Sequence, residues 1–167
     1  MKDLLLKLRA CEEAIKWAGD KTAKEIIATC YRGDWLLWLA NRLKVDDRSF
    51  TLAKGHCANT VRHLMQDERS IKAVDAAIAY GNGEISKVEL KAAASAYAAA
   101  YAATYATYAA YSAAASAYAA SDAACASAAA YSADGACASA TEKALNQIET
   151  ADICRKYLGH LILEKLC

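Results

Sequence analysis

The chain has 167 residues, a formal net charge of +1 and no proline. This length fits one domain with a hydrophobic core of its own. The lack of proline, the seven glycines and the many Ala, Leu, Lys and Glu residues favour helices throughout. A dedicated nucleic-acid-binding protein needs a clustered basic footprint, so the near-zero charge argues against a sequence-specific nucleic-acid partner.

Seven cysteines are scattered along the chain without the close paired spacing of a zinc knuckle or a redox motif. We therefore expect reduced thiols, no bound metal and no cofactor. The first ten residues hold only three consecutive leucines among charged residues, too short an apolar run for a secretory signal, which predicts a cytoplasmic protein. The segment 92–140 lacks Leu, Ile, Val and Phe, so we expect no membrane partner.

The N-terminal part predicts short amphipathic helices. Apolar residues recur on one side of segment 3–18, which predicts a single helix there. Thr22 and Glu25 have the spacing of a capping box and predict the start of a second helix, which ends near Arg32.

The Arg32-Gly33-Asp34 segment predicts a tight corner between helices. We expect Gly33 to adopt the left-handed conformation that closes a helix, and Asp34 to cap the next one. The following segment, Trp35–Leu43, is apolar almost all round in its first two turns, which predicts a central helix of the core.

Cap residues predict two more helices before the alanine-rich segment, the start of the alanine-rich helix itself, and one helix after it. The first of these helices is expected to start at Asp46, Asp47 and Ser49, and the second to start at Asp67 to Ser70 and stop at Gly81-Asn82-Gly83. The alanine-rich helix is expected to start at the capping box of Ser86 and Glu89, and the last helix at Thr141 and Glu142. In the last helix the residues expected to face inward are Ala144, Ile148, Ala151, Leu158, Leu161, Ile162 and Leu166.

The alanine-rich segment 92–140 carries a stripe of tyrosines, spaced three, four or seven residues apart, on one predicted helical face: Tyr97, Tyr101, Tyr105, Tyr108, Tyr111 and Tyr118. One helix over the whole segment would approach ~70 Å, whereas a domain of this size has a radius of gyration near ~15 Å. We therefore predict a break at Ser121-Asp122 and a stop at Asp134-Gly135.

Two interpretations of the tyrosine stripe stay open. It can pack on Trp35 and Trp38 as core, or it can form a recognition surface, because tyrosine offers a large contact area with few rotatable bonds. A stripe too long for its own domain could also pair with a second copy of the chain. An ice-binding face is disfavoured, because Thr104 and Thr107 form no regular repeat.

Catalytic motifs do not stand out. His56 and His63 are two helical turns apart, too far to chelate one metal without other ligands. With Lys54 and Arg62 they could form a small anion-binding patch. No cysteine or serine has a spacing that pairs it with a base, so we expect no catalytic residues and no enzyme activity.

The chain resembles a family of small all-helical bacterial and phage proteins described as immunity proteins of polymorphic toxin systems. The resemblance rests on Trp17, on Cys30, on the run Arg32–Leu39, on the alanine- and tyrosine-rich segment, and on Ala151–Lys156. It implies an all-helical cytoplasmic protein that neutralises a partner by binding it, without turnover.

Two binding functions are therefore the main hypotheses, and a structural or oligomerising helical protein is a further alternative. The first is an immunity-like protein that occludes a protein toxin, and the second is a phage-type counter-defence protein that sequesters a small nucleotide signal through ring stacking and phosphate contacts. The candidate binding residues for either function are Tyr97, Tyr101, Tyr105, Tyr108, Arg32, Asp34, Trp35, His56, Arg62 and His63.

The predicted fold class is all-α, a single-domain bundle of about seven to eight helices. Its expected parts within 1–167 are short helices with a Trp-rich core in 1–85, Ala/Tyr-rich helices in 86–140 and a C-terminal helix in 141–167.

Overall fold

Helices form all of the regular secondary structure among the residues described by the computed structural model, which are 1–65, 67–101 and 139–166. Side chains are described for 1–65, 67–95 and 139–166. These residues form a short 3-10 helix, Arg62–Leu64, and eight α-helices: α1 Lys2–Lys7, α2 Glu12–Ala18, α3 Ala23–Thr29, α4 Gly33–Arg42, α5 Asp47–Asn59, α6 Glu68–Asn82, α7 Lys87–Tyr101 and α8 Ala140–Leu166. The predicted all-α single-domain bundle is confirmed.

The core consists of two hydrophobic clusters that meet on α5. The first joins α3, α4 and α8 to the N-terminal part of α5, from Phe50 to Cys57, and the second joins the end of α5, from Ala58, to α6 and α7. Accordingly α5 contacts α4, α6 and α8, and α8 also contacts α3 and α4. Burial of the apolar side chains in these two clusters drives the folding of the described helices.

Several helix starts follow the predicted caps, but Asp34 does not cap α4: it lies inside that helix, whose N-cap is Arg32, and its carboxylate binds the Arg32 guanidinium. Thr22 and Glu25 form a reciprocal capping box on α3, and Ser86 and Glu89 form another on α7. The Asp46 side chain accepts a hydrogen bond from the Ser49 amide at the start of α5. These short-range bonds satisfy amides that have no partner within the helix.

The predicted single helix over 3–18 is wrong, because the structure divides it into α1 and α2. The backbone of Arg9 is left-handed, with φ 61°, and this turn ends the helix where its apolar pattern would allow it to continue. The start predicted for the last helix is also shifted, since Ser139 pairs with Glu142 in the capping box. Ala144 and Ile148 are exposed rather than inward.

Gly33 is not left-handed as predicted. It is the first residue of α4, and the left-handed glycines of the described segments are Gly19 and Gly83. A Cβ added to Gly33 would lie 2.6 Å from Thr150 Oγ1 and 2.7 Å from the Thr150 carbonyl carbon. Gly33 is therefore required by the close approach of α4 to α8 rather than by its own backbone conformation.

Gly33→Ala should lower the free energy of unfolding by about 1–3 kcal/mol, because the added methyl group overpacks a contact with backbone that cannot move away. Urea unfolding followed by circular dichroism measures it. Gly159→Ala is the matched control, since its added Cβ would meet the Ile27 Cγ2 methyl at 3.2 Å and the helix gains propensity. Equal stability changes for the two variants would contradict the close-approach explanation.

The predicted tyrosine stripe lies largely outside the described residues. Tyr105, Tyr108 and the predicted breaks at Ser121-Asp122 and Asp134-Gly135 are not among them. Tyr97 and Tyr101 belong to α7, but their side chains are outside the described set. Whether the stripe is core or interface therefore stays a prediction, as do the boundaries of the three predicted parts.

Within the described ranges, no helix combines the length and the apolar character needed to cross a membrane.

Candidate binding site

Three aromatic rings from consecutive elements meet at one side of the bundle. Trp17 lies in the last turn of α2, Tyr31 lies in the linker between α3 and α4, and Trp35 lies in the first turn of α4. Their ring centroids are 5.9 to 6.1 Å apart in all three pairs, in tilted or edge-to-face arrangements that aromatic quadrupoles favour. We call Trp17, Tyr31 and Trp35 the aromatic face.

The Arg32-Gly33-Asp34 corner fixes this face through a bidentate ion pair. Arg32 Nε and Nη2 donate to the two carboxylate oxygens of Asp34 at 2.8 and 2.7 Å, and Asp34 is buried. The same guanidinium lies over the Trp35 ring, 4.8 Å from its centroid. Arg32 thereby orients the indole while its planar fork is occupied by the carboxylate.

The C-terminal helix, α8, binds the backbone that leads into this corner. Arg155 Nε donates to the Ile27 carbonyl and Nη2 donates to the Cys30 carbonyl, both at 2.9 Å. These are carbonyl groups at the end of α3 that have no partner within the helix. The Cys30 thiol donates to the Arg32 carbonyl at 3.4 Å, and burial raises the pKa of this thiol to about 11. Cys30 is therefore an unreactive core thiol at neutral pH.

A cavity of about 390 Å³ opens beside the aromatic face, between α1, α2 and α4. Most of its wall is apolar, with buried side chains of Leu5, Ile26 and Leu36 among them. Trp17 and Trp35 line it together with Trp38 of α4. The volume lies within the usual range of small-ligand sites.

Of the six candidate residues whose side chains are described, the structure brings three together and leaves three elsewhere. Arg32, Asp34 and Trp35 all line the cavity. The other three have partners of their own or lie in solvent: His56 contacts Tyr157, Arg62 donates two hydrogen bonds to Asp75, and His63 is exposed on the 3-10 helix.

His56 is held by ring stacking. Its imidazole lies parallel to the Tyr157 ring with centroids 4.8 Å apart, and Tyr157 Oη is 3.1 Å from Nε2. Burial first, and then the positive charge of Lys156, lowers the pKa of His56 below its ordinary value. The folded chain therefore disfavours the protonated imidazole.

Stability should fall as the pH is lowered from about 7.5 to about 5, because the unfolded chain takes up a proton at His56 before the folded chain does. The free energy of unfolding, measured by urea titration at several pH values, should show this slope in the wild type. In His56→Gln the slope should be shallower. At about pH 8 His56 is neutral in the folded and the unfolded state, so the stability of the variant at that pH is the reference from which its loss of stability at lower pH is measured. An unchanged slope would show that His56 does not contribute.

Sequence reasoning did not assign Trp17 and Tyr31 to the site, and it did not predict the cavity. A weak signal was present, because Trp17, Tyr31 and Trp35 flank the ends of three successive short helices. The wall of the cavity includes Arg9, Ala10 and Cys11 between α1 and α2, where the prediction placed a continuous helix over 3–18.

The described part of the chain contains no cluster of three or more His, Cys, Asp or Glu side chains that could hold a metal ion. Comparison with known proteins found no matching family model, curated protein or solved structure.

Proposed function

We propose that this chain is a non-catalytic binding protein that neutralises a protein partner, such as a toxin, by occluding it through the aromatic face. The observation that supports the proposal most is the mutual contact of three aromatic rings at the surface, with Tyr31 41% exposed. Tyr, Trp and Arg are the residue types that dominate binding energy at protein interfaces. This function agrees with the family resemblance of the sequence.

The rigidity of the face also favours binding. Arg32 is fixed by Asp34 and Trp35, and the backbone beside it is tied to α8 by Arg155. These groups are already ordered in the free chain, so ordering them adds little to the free-energy cost of association. An occluding protein needs no chemistry beyond this contact, so turnover is not part of the proposal.

Tyr31→Ala should weaken partner binding by about 2 kcal/mol or more, the cost typical of an interface hot spot. The tagged chain is purified from its native host, and a protein retained in stoichiometric amount is identified by mass spectrometry and purified. Its affinity for wild type and variants is then measured by calorimetry.

Val88→Ala is the matched control, because Val88 is 76% exposed and belongs to α7. Full affinity in Tyr31→Ala, with a cooperative thermal transition showing that the variant is folded, would refute the aromatic face as the contact. Loss of affinity in Tyr101→Ala alone would place the contact in the tyrosine stripe instead.

Sequestration of a small nucleotide signal is the second candidate. Three tryptophans and two arginines, Arg9 and Arg32, line a cavity of ligand size, and indole rings stack on nucleobases. Calorimetry of the purified chain against cyclic and ADP-ribose-type nucleotides tests it. We expect binding in the micromolar range or tighter if the candidate is right, and silence across the whole panel would eliminate it.

A further inference from the structure

We propose that the cavity between α1, α2 and α4 binds a small, uncharged aromatic ligand. This goes beyond the proposed function, because it assigns the cavity a ligand that enters without any protein partner. Four observations carry the inference: the size of the cavity, the nature of its wall, the balance of its charges and the positions of the cations on its tryptophans.

Size and wall composition indicate an aromatic ligand. The volume of about 390 Å³ exceeds what one apolar side chain would fill. Indole rings of Trp17, Trp35 and Trp38 line it, alongside aliphatic side chains on α1, α3 and α4. A flat ring can stack against indoles in offset or edge-on geometry, and it buries apolar area against the aliphatic part of the wall.

The formal charges of the side chains that line the cavity sum to zero. Two are basic, Arg9 and Arg32, and two are acidic, Glu13 and Asp34. Arg32 binds Asp34 through two hydrogen bonds, and its Nη1 lies 3.7 Å from a Glu13 carboxylate oxygen. An anionic ligand would have to compete with these carboxylates for the guanidinium. An anion that displaced Arg32 would leave the buried Asp34 carboxylate without its partner, which is costly, so the site disfavours anions that bind at Arg32.

A cationic ligand is disfavoured for a different reason. Each tryptophan of the wall already has a cation beside its ring: Lys21 Nζ lies 4.7 Å from the Trp17 centroid, the Arg32 guanidinium 4.8 Å from Trp35, and the Arg42 guanidinium 5.7 Å from Trp38. A further cation would gain less from these rings and would be repelled by the charges already present.

Matched pairs of indole compounds test the charge preference. The full chain is titrated with tryptophol and tryptamine, which differ by a neutral hydroxyl and a cationic amine, and with indole-3-propionamide and indole-3-propionate, which differ by a neutral amide and a carboxylate. Binding is followed by calorimetry and by amide chemical shifts. We expect both neutral compounds to bind, and each charged counterpart to bind at least about tenfold more weakly.

A variant that fills the cavity tests the location. Ala14 lines the cavity on α2, and Ala14→Leu should abolish tryptophol binding while the chain keeps its helical circular dichroism. Ala10→Leu places the same bulk at a second lining position if Ala14→Leu fails to fold. Ala28→Leu is the control, since Ala28 is exposed on α3 and does not line the cavity, and it should bind as the wild type does.

Three outcomes would overturn the inference: no binding of either neutral compound at millimolar concentration, equal or tighter binding of a charged counterpart, or undiminished binding in a folded cavity-filling variant. Adenosine and AMP separate this inference from nucleotide sequestration. Tighter binding of AMP than of adenosine would contradict the uncharged site and favour the nucleotide candidate. If the protein-partner experiment fails while the neutral indole compounds still bind, the proposed function is wrong and the inference about the cavity is unaffected.

Discussion

The close packing of α8 on the Arg32-Gly33-Asp34 corner is the constraint on which the rest of the site depends. Gly33 lets the start of α4 approach the backbone of Thr150, and one turn further along α8 Arg155 binds the carbonyls that end α3. Both contacts join residues more than 100 positions apart in the chain. They fix where α3 ends and where α4 begins, and hence the direction of the linker between them.

The position of this linker in turn determines where the side chains of the aromatic face lie. Tyr31 and Arg32 lie within the linker, so tying its ends limits the positions that their side chains can reach. Asp34 then binds the Arg32 guanidinium, and the guanidinium covers Trp35. The buried ion pair need not add stability, because desolvation offsets much of its attraction. Its evident effect is to hold one arginine and one indole in a single arrangement.

The sequence predicts those parts of the fold that depend on neighbouring residues. Capping boxes at Thr22 and Ser86 join side chains three positions apart, so spacing alone identifies them. The role of Gly33 could not be read in this way, because it depends on Thr150, a residue of another helix. The turn at Arg9 likewise interrupts a segment whose apolar pattern is continuous, and no proline or glycine marks it.

The same distinction holds for the site. Arg32, Asp34 and Trp35 are adjacent in sequence and could be proposed from the corner they form, whereas Trp17 joins them only through the tertiary fold. The cavity is lined by residues on both sides of the break between α1 and α2 and by Arg9 at the turn itself. The spacing of apolar residues in the sequence indicates which residues face inward, but it does not indicate where a helix ends. A site that depends on where a helix is interrupted therefore cannot be predicted from that spacing.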